Sequence, residues 1–383
     1  MTDAHRNSSE SSYGDIFSGS LTPASTLQNV GSQLTMAANT AKGPKPTQDL
    51  VDKAEKILAL VPHPSDLLQS QTYNRVDPYT LLKVMLENAP NEHGQRYVAS
   101  AIGECDGDTI ALVDLSNAWL RYLLLPSSFP PETAHGRNPH PSKRKPSMTQ
   151  LVRMREGYQC PFTEYYHQGC APSDANTLFL EVAQIVKRAI GVFDVTKDEG
   201  SLITWDIIRN YVGWNAQRTQ EVLEKLDTPL NGMLLEGNFH HEWDSFAWTL
   251  KPMLGADGEL VPDTYEVEEM GHNWLPCIFK GNATPANRQI TFRDRGTDPT
   301  VQDYIPKSDK KLITKPRPLP DPELISLHRS ICRVLHLSGA AKVIDSIFRD
   351  FEGNGQKVPS AKIRTTDELD LMFSTLAFST LSV

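Results

Sequence analysis

DTPLNGMLLEGNFHHEWDSFAWTLKP, residues 227–252, is the stretch of the 383-residue chain whose reading decides the fold. Asn231-Gly232 is a turn dipeptide, and Gly232 to Leu235 reads as a strand. The pair His240-His241 falls in a short helix, and Phe246 to Leu250 reads as a further strand. Trp243, Phe246 and Trp248 alternate with helix-end and strand spacing and are expected in the core, with Asp244 capping the strand. Upstream, TLFLEVAQIVKRAIGVFDV (177–195) begins as a buried strand rich in Leu and Val. GYQCPFTEYY (157–166) reads as a strand entering a turn, preceded by a short helix from Thr149 to Glu156. Two amphipathic helices, about Ser201 to Val212 and Gln217 to Leu226, are inserted between the two strands. Strand, long loop, strand, helix is an α+β order.

The residues at those positions carry a resemblance. Cys160 near the first strand is followed by Ala183-Gln184-Ile185, then Asn231-Gly232-Met233-Leu234-Leu235, then His240-His241-Glu242-Trp243-Asp244. This order resembles the HNH nuclease family, and more closely the HNH domains of large families of fungal proteins. Those carry a Cys, an Ala-His-Ile run, an Asn-Gly-Met/Leu-Leu-Leu run, and a helical His before a Phe/Trp-Asp pair. The resemblance implies a small ββα-metal core with a two-helix insert, flanked by helical segments. It also implies a metal-dependent endonuclease acting on DNA with a divalent ion, Mg or Mn, with Zn as an alternative. In such a site a first histidine serves as general base, the Asn holds the intervening loop, and the last histidine reaches the metal. Phosphodiester hydrolysis needs both, a base to deprotonate water and a cation to neutralise the scissile phosphate.

Mapped onto this sequence, the catalytic positions are Gln184, Asn231 and His240, with His240 as metal ligand. Lys187, Arg188 and His241 are candidates for the substrate phosphate. The first position departs from the pattern: an amide cannot accept a proton near neutral pH. His241 or His167 is a candidate substitute base. The alternative reading is a degenerate HNH domain, a pseudoenzyme serving as a nucleic-acid or protein-binding module; a purely structural role is a third. Each residue also has a plainer reading. His240 and His241 fit one buried and one solvated histidine, and Lys187 and Arg188 fit an ordinary solvated pair.

Outside this core, residues 1–46 are rich in Ser, Thr, Asn, Gly and Gln and are expected to be disordered. Residues 47–125 read as a helical module. Val51 to Val61 have helical spacing, Asp77-Pro78 makes a helix start, and a third helix runs from Asp108 to Leu125. A proline-rich basic linker follows at 126–148, and the nuclease-like domain is bounded at 149–256. Residues 257–320 read as short strands (Thr264 to Glu268, Trp274 to Phe279, Gln289 to Arg293) and a basic loop. A C-terminal helix at 321–352 kinks at Ser338-Gly339, and 353–383 is a weakly ordered tail.

The formal net charge of -9 argues against a surface that wraps nucleic acid throughout, leaving room for a local basic face. Five cysteines without a CxxC pair read as reduced thiols in an intracellular protein. No apolar run is long enough to span a membrane.

Overall fold

The computed structural model describes residues 28–60, 76–128, 146–187, 190, 199–271, 288–310 and 316–353. Five helices come first: α1 (Gln28–Ala41), α2 (Thr47–Leu60), α3 (Pro78–Glu87), α4 (Glu92–Glu104) and α5 (Thr109–Trp119). Helix α5 continues through a π-helical turn, Leu120–Leu124, into Leu125–Ser128. Next come α6 (Met148–Arg155), β1 (Tyr166–His167), β2 (Thr177–Leu178) and β3 (Leu180–Gln184). The insert supplies α7 (Glu199–Val212) and α8 (Ala216–Lys225), and then come β4 (Gly232–Glu236), α9 (Gly237–Asp244) and β5 (Trp248–Leu254). The chain goes on through β6 (Leu260–Glu269), β7 (Gln289–Thr291), α10 (Pro322–Leu337) and α11 (Ala340–Gly353). The architecture is α+β.

The helical module forms because its polar ends are capped and its apolar faces match. Asp77 accepts the Thr80 amide at 2.9 Å, and Asp108 accepts that of Ile110 at 2.8 Å, each satisfying an amide that the first helical turn leaves open. Two features differ from the sequence expectation. Residues 28–41 are helical, not disordered, because Leu34, Ala37 and Ala41 bury a narrow face of small side chains against α4. Helix α4 itself was not expected. Its core contribution comes from Tyr97, Val98, Ala101 and Ile102, and it lies so close to α7 that a Cβ on Gly94 would meet the Tyr211 carbonyl oxygen at 2.1 Å.

Three sheets are present among the described residues. The one that matters for the site is the antiparallel pair β3–β4, in register from Leu180↔Glu236 to Gln184↔Gly232. Side chains alternate across a strand, so Glu181 and Ala183 share one face of β3. Helix α9 packs across that strand. The boundary expected at residue 256 falls inside a continuous hairpin, since β5 pairs with β6 from Trp248↔Glu269 to Leu254↔Leu260. Likewise the expected linker begins in helix, with Pro126 and Ser127 buried. Residues 129–145 of that linker lie outside the described set, as do the expected strand at 274–279 and the tails at 1–27 and 354–383.

Helix α10 closes the far side of the core. It packs on β5 and α3, and Arg218 of α8 binds Asp321 and Glu323 at its start (2.6 and 2.8 Å). The expected kink is a break: Gly339, at φ 78°, separates α10 from α11.

Candidate functional site

Asn231 sits at the start of β4, fully buried, and its amide is saturated. Its Oδ1 accepts the Val186 amide at 2.8 Å, and its Nδ2 donates to the carbonyls of Val186 (2.8 Å) and Leu226 (3.0 Å). One side chain thereby ties the loop leaving β3 to the end of the insert. Beside it, buried Arg155 donates to the carbonyls of Pro229 (2.6 Å) and Gly232 (2.7 Å) and pairs with Glu156. The turn into β4 is thus held from two directions.

His240 stands in the second turn of α9, a helix started by Glu236, whose carboxylate accepts the Asn238 amide at 3.0 Å. The imidazole is flanked on both sides. Nδ1 meets Glu181 Oε2 of β3 at 2.6 Å, and Nε2 meets Asp244 Oδ2, one turn on, at 3.3 Å. Burial alone would depress its pKa, but Asp244 and Glu181 together hold it above the ordinary histidine value. The Glu181 side chain is 45 % exposed against 15 % for Asp244, so solvent reaches the ring from the Glu181 side.

Behind α9 the environment reverses. Trp243 is buried, donates its indole N–H to the Gln184 carbonyl at 3.0 Å, and stacks flat on His328 of α10, with centroids 3.6 Å and planes 2° apart. Phe246 stacks on the same imidazole at 4.8 Å, and His328 Nδ1 is 3.2 Å from Thr249 Oγ1. Burial, assisted by Lys187, drives His328 down to about 3. A small void of about 20 Å³ lies here, lined in part by Gln184, Lys187, Trp243, Asp244 and His328.

The expected site residues separate accordingly. Glu181, not Gln184, is the β3 residue that meets His240. Lys187 faces inward: it is buried, its Nζ donates to the Asp244 carbonyl at 3.0 Å, and burial lowers its pKa to about 8 despite Asp244. That geometry conflicts with a phosphate contact, because the ammonium serves the carboxyl end of α9. Arg188 lies outside the described residues, and His241 is exposed. Asp244 was expected to cap a strand, yet it braces the His240 ring. His167 accepts the Leu180 amide at 3.1 Å through Nδ1, and burial lowers its pKa. The buried strand expected in the first half of 177–195 is broken at Phe179, which is 62 % exposed.

This hairpin with a histidine-bearing helix is also where a comparison with known families falls. Residues 160–251 match the model of a family described as HNH endonuclease. The matched segment takes in β1 to α9, the two-helix insert included. No curated protein and no solved structure matches the chain. HNH domains generally use a divalent metal, and the donor set here can be weighed against that need. Among the described residues no three His, Cys, Asp or Glu side chains surround a common point, because Glu181 and Asp244 lie on opposite nitrogens of one ring. The pattern that results is one imidazole nitrogen facing one carboxylate, with a second carboxylate behind to fix the tautomer. A carboxylate on the far nitrogen is the usual support for a metal-bound histidine. A single carboxylate among waters suits a hard ion such as Mg²⁺, whereas an imidazole nitrogen favours softer ions such as Zn²⁺. Structural zinc generally takes four protein ligands. Among the described residues no helix is long and apolar enough to cross a membrane.

Proposed function

We propose that the chain is an HNH-type endonuclease-like protein that binds a divalent ion, Mg²⁺ or Mn²⁺, at Glu181 and His240, engages DNA there, and hydrolyses phosphodiester bonds slowly. The observation that supports this most is the pairing of His240 with Glu181 across β3 and α9, inside the segment that matches the HNH family. The ion would supply charge neutralisation at the scissile phosphate and its leaving oxygen. The chain's own residues do the rest. Asp244 accepts a hydrogen bond from Nε2–H, so that loss of the proton shared between Nδ1 and Glu181 would leave the Nδ1 lone pair for the ion. Asn231 clamps the backbone at Val186, holding the end of β3 rigid. Because His240 must lose its proton to become a ligand, ion affinity should rise with pH.

The resemblance puts Gln184 at the base position, although its side chain alternates to the opposite face of β3 from Glu181. The missing proton acceptor should cost on the order of 10²–10⁴-fold. A second reading, a non-catalytic DNA- or protein-binding module, draws on two observations: Gln184 at the base position, and carboxylates already on both nitrogens of His240. Nicking of supercoiled plasmid with Mg²⁺ or Mn²⁺ separates the two. The expected outcome is slow nicking by the wild type, faster nicking by Gln184→His, and none by either protein carrying His240→Ala. No nicking by the wild type or by Gln184→His, with either metal, would leave the binding-module reading in its place.

A further inference from the structure

A larger cavity, about 660 Å³, opens between residues 157–173 and residues 293–304. Its volume is in the range of small-molecule sites, roughly 300–1,000 Å³. Most of its lining outside β1 and the following loop comes from 293–304, beyond the matched segment.

The walls combine two chemistries. Tyr166 and Tyr304 meet edge to face, centroids 5.5 Å and planes 88° apart, and the Tyr304 hydroxyl donates to the Gly157 carbonyl at 3.1 Å. The aromatic corner is therefore fixed in place. Arg295 donates one of its five N–H groups to Gln159 Oε1. Arg293, 66 % exposed, has only a loose pairing with Asp298 at 3.8 Å, which a stronger bidentate acceptor displaces readily. Asp298 and Asp303 also line the cavity, so a phosphate there would have to displace Asp298 from Arg293, and the two carboxylates would disfavour a triphosphate.

We propose that this cavity binds a single nucleotide unit, its base against Tyr166 and Tyr304 and its phosphate on Arg293 and Arg295. The position points to a nucleotide within a strand. Tyr166 pairs with Thr177, and Glu181 lies four residues further along the same run, about 13 Å at ~3.3 Å per residue. That separation, about four nucleotides at ~3.4 Å each, is within the reach of one strand. The choice of a strand rests on the proposed nuclease reading; the nucleotide chemistry of the cavity does not.

The test is binding of a nucleoside 5′-monophosphate by calorimetry and of a fluorescein-labelled oligonucleotide by anisotropy. Both are measured on the full chain as wild type, Arg293→Glu, Tyr166→Leu and His240→Ala. Arg293 is exposed, so its variant should fold. The expected result is a loss on the order of 10- to 100-fold in affinity for both ligands in Arg293→Glu. A smaller loss is expected in Tyr166→Leu, with monophosphate binding unchanged in His240→Ala. If only the monophosphate responds to Arg293→Glu, the cavity stands and its ligand is a free nucleotide. Oligonucleotide binding that responds in this way while plasmid nicking is absent keeps the cavity and sinks only the nuclease reading. Indifference of both ligands to Arg293→Glu, or inorganic phosphate competing as well as the nucleotide, overturns the proposal.

Discussion

The two faces of α9 meet the same chemical group in opposite states. On the outer face, the His240 imidazole lies between two carboxylates and takes up a proton more readily than an ordinary histidine. Behind the helix, His328 is pressed between Trp243 and Phe246 and stays neutral down to about pH 3. The distance from solvent and the sign of the nearest charge decide the difference, not the residue type. One face is thereby suited to exchange a proton for a cation; the other supplies the dry packing that keeps the helix in place.

Removing the inner face should have the largest effect on stability. Trp243→Ala takes away the stack and the bond to Gln184, and is expected to cost about 3–5 kcal/mol in denaturant unfolding. His240→Ala, on the outer face, should cost about 1 kcal/mol or less, since partly exposed ion pairs contribute little. Comparable costs for the two would show that the faces are not energetically distinct. Next comes Asn231→Ala, which strands three backbone groups on both sides of the site. A loss of roughly 2–3 kcal/mol is expected by the same measurement, together with faster amide exchange at Val186.

The pH profile sharpens the contrast further. His328 binds its proton at about 3 when folded and near 6.5 when unfolded. Between those values the unfolded chain holds more protons, so stability rises with pH across that window, by up to about 1.4 kcal/mol per pH unit. His328→Phe keeps an aromatic ring against Trp243 and should flatten this slope. His240 works in the other sense: its raised folded value stabilises at low pH, and that contribution fades as pH rises through it. The smallest expected effect is that of Glu181→Gln, which removes one of the two carboxylates on His240. An NMR titration should then place His240 lower than in the wild type, with His328 unmoved.

Local patterns made the hairpin and the histidine helix legible in the sequence. A short apolar run after the Asn231-Gly232 turn marked β4, and the spacing from Asn231 to His240 placed a histidine one strand and one helical turn beyond the loop. What stayed hidden depends on contacts across the chain. Glu181 is an ordinary polar residue of an alternating strand until α9 folds over it, 59 positions later. Similarly, His328 looks like one residue of an amphipathic helix, and only the packing of α10 on β5 turns it into the floor beneath Trp243. Lys187 was expected at the surface because it follows a strand in a basic pair; the carboxyl end of α9 draws it inward instead. Helices α1 and α4 were missed because small and polar residues give a weak apolar stripe, although close helix contact requires small residues.

The most direct measurement is Mn²⁺ titration of the wild-type protein while following the His240 and His328 imidazole resonances, assigned from the His240→Ala and His328→Phe variants. If Glu181 and His240 hold the ion, the His240 signals broaden away well below one equivalent, while those of His328 persist longer, and Glu181→Gln weakens the effect. Undiminished His240 signals at several equivalents of Mn²⁺ would contradict a metal site on the outer face of α9.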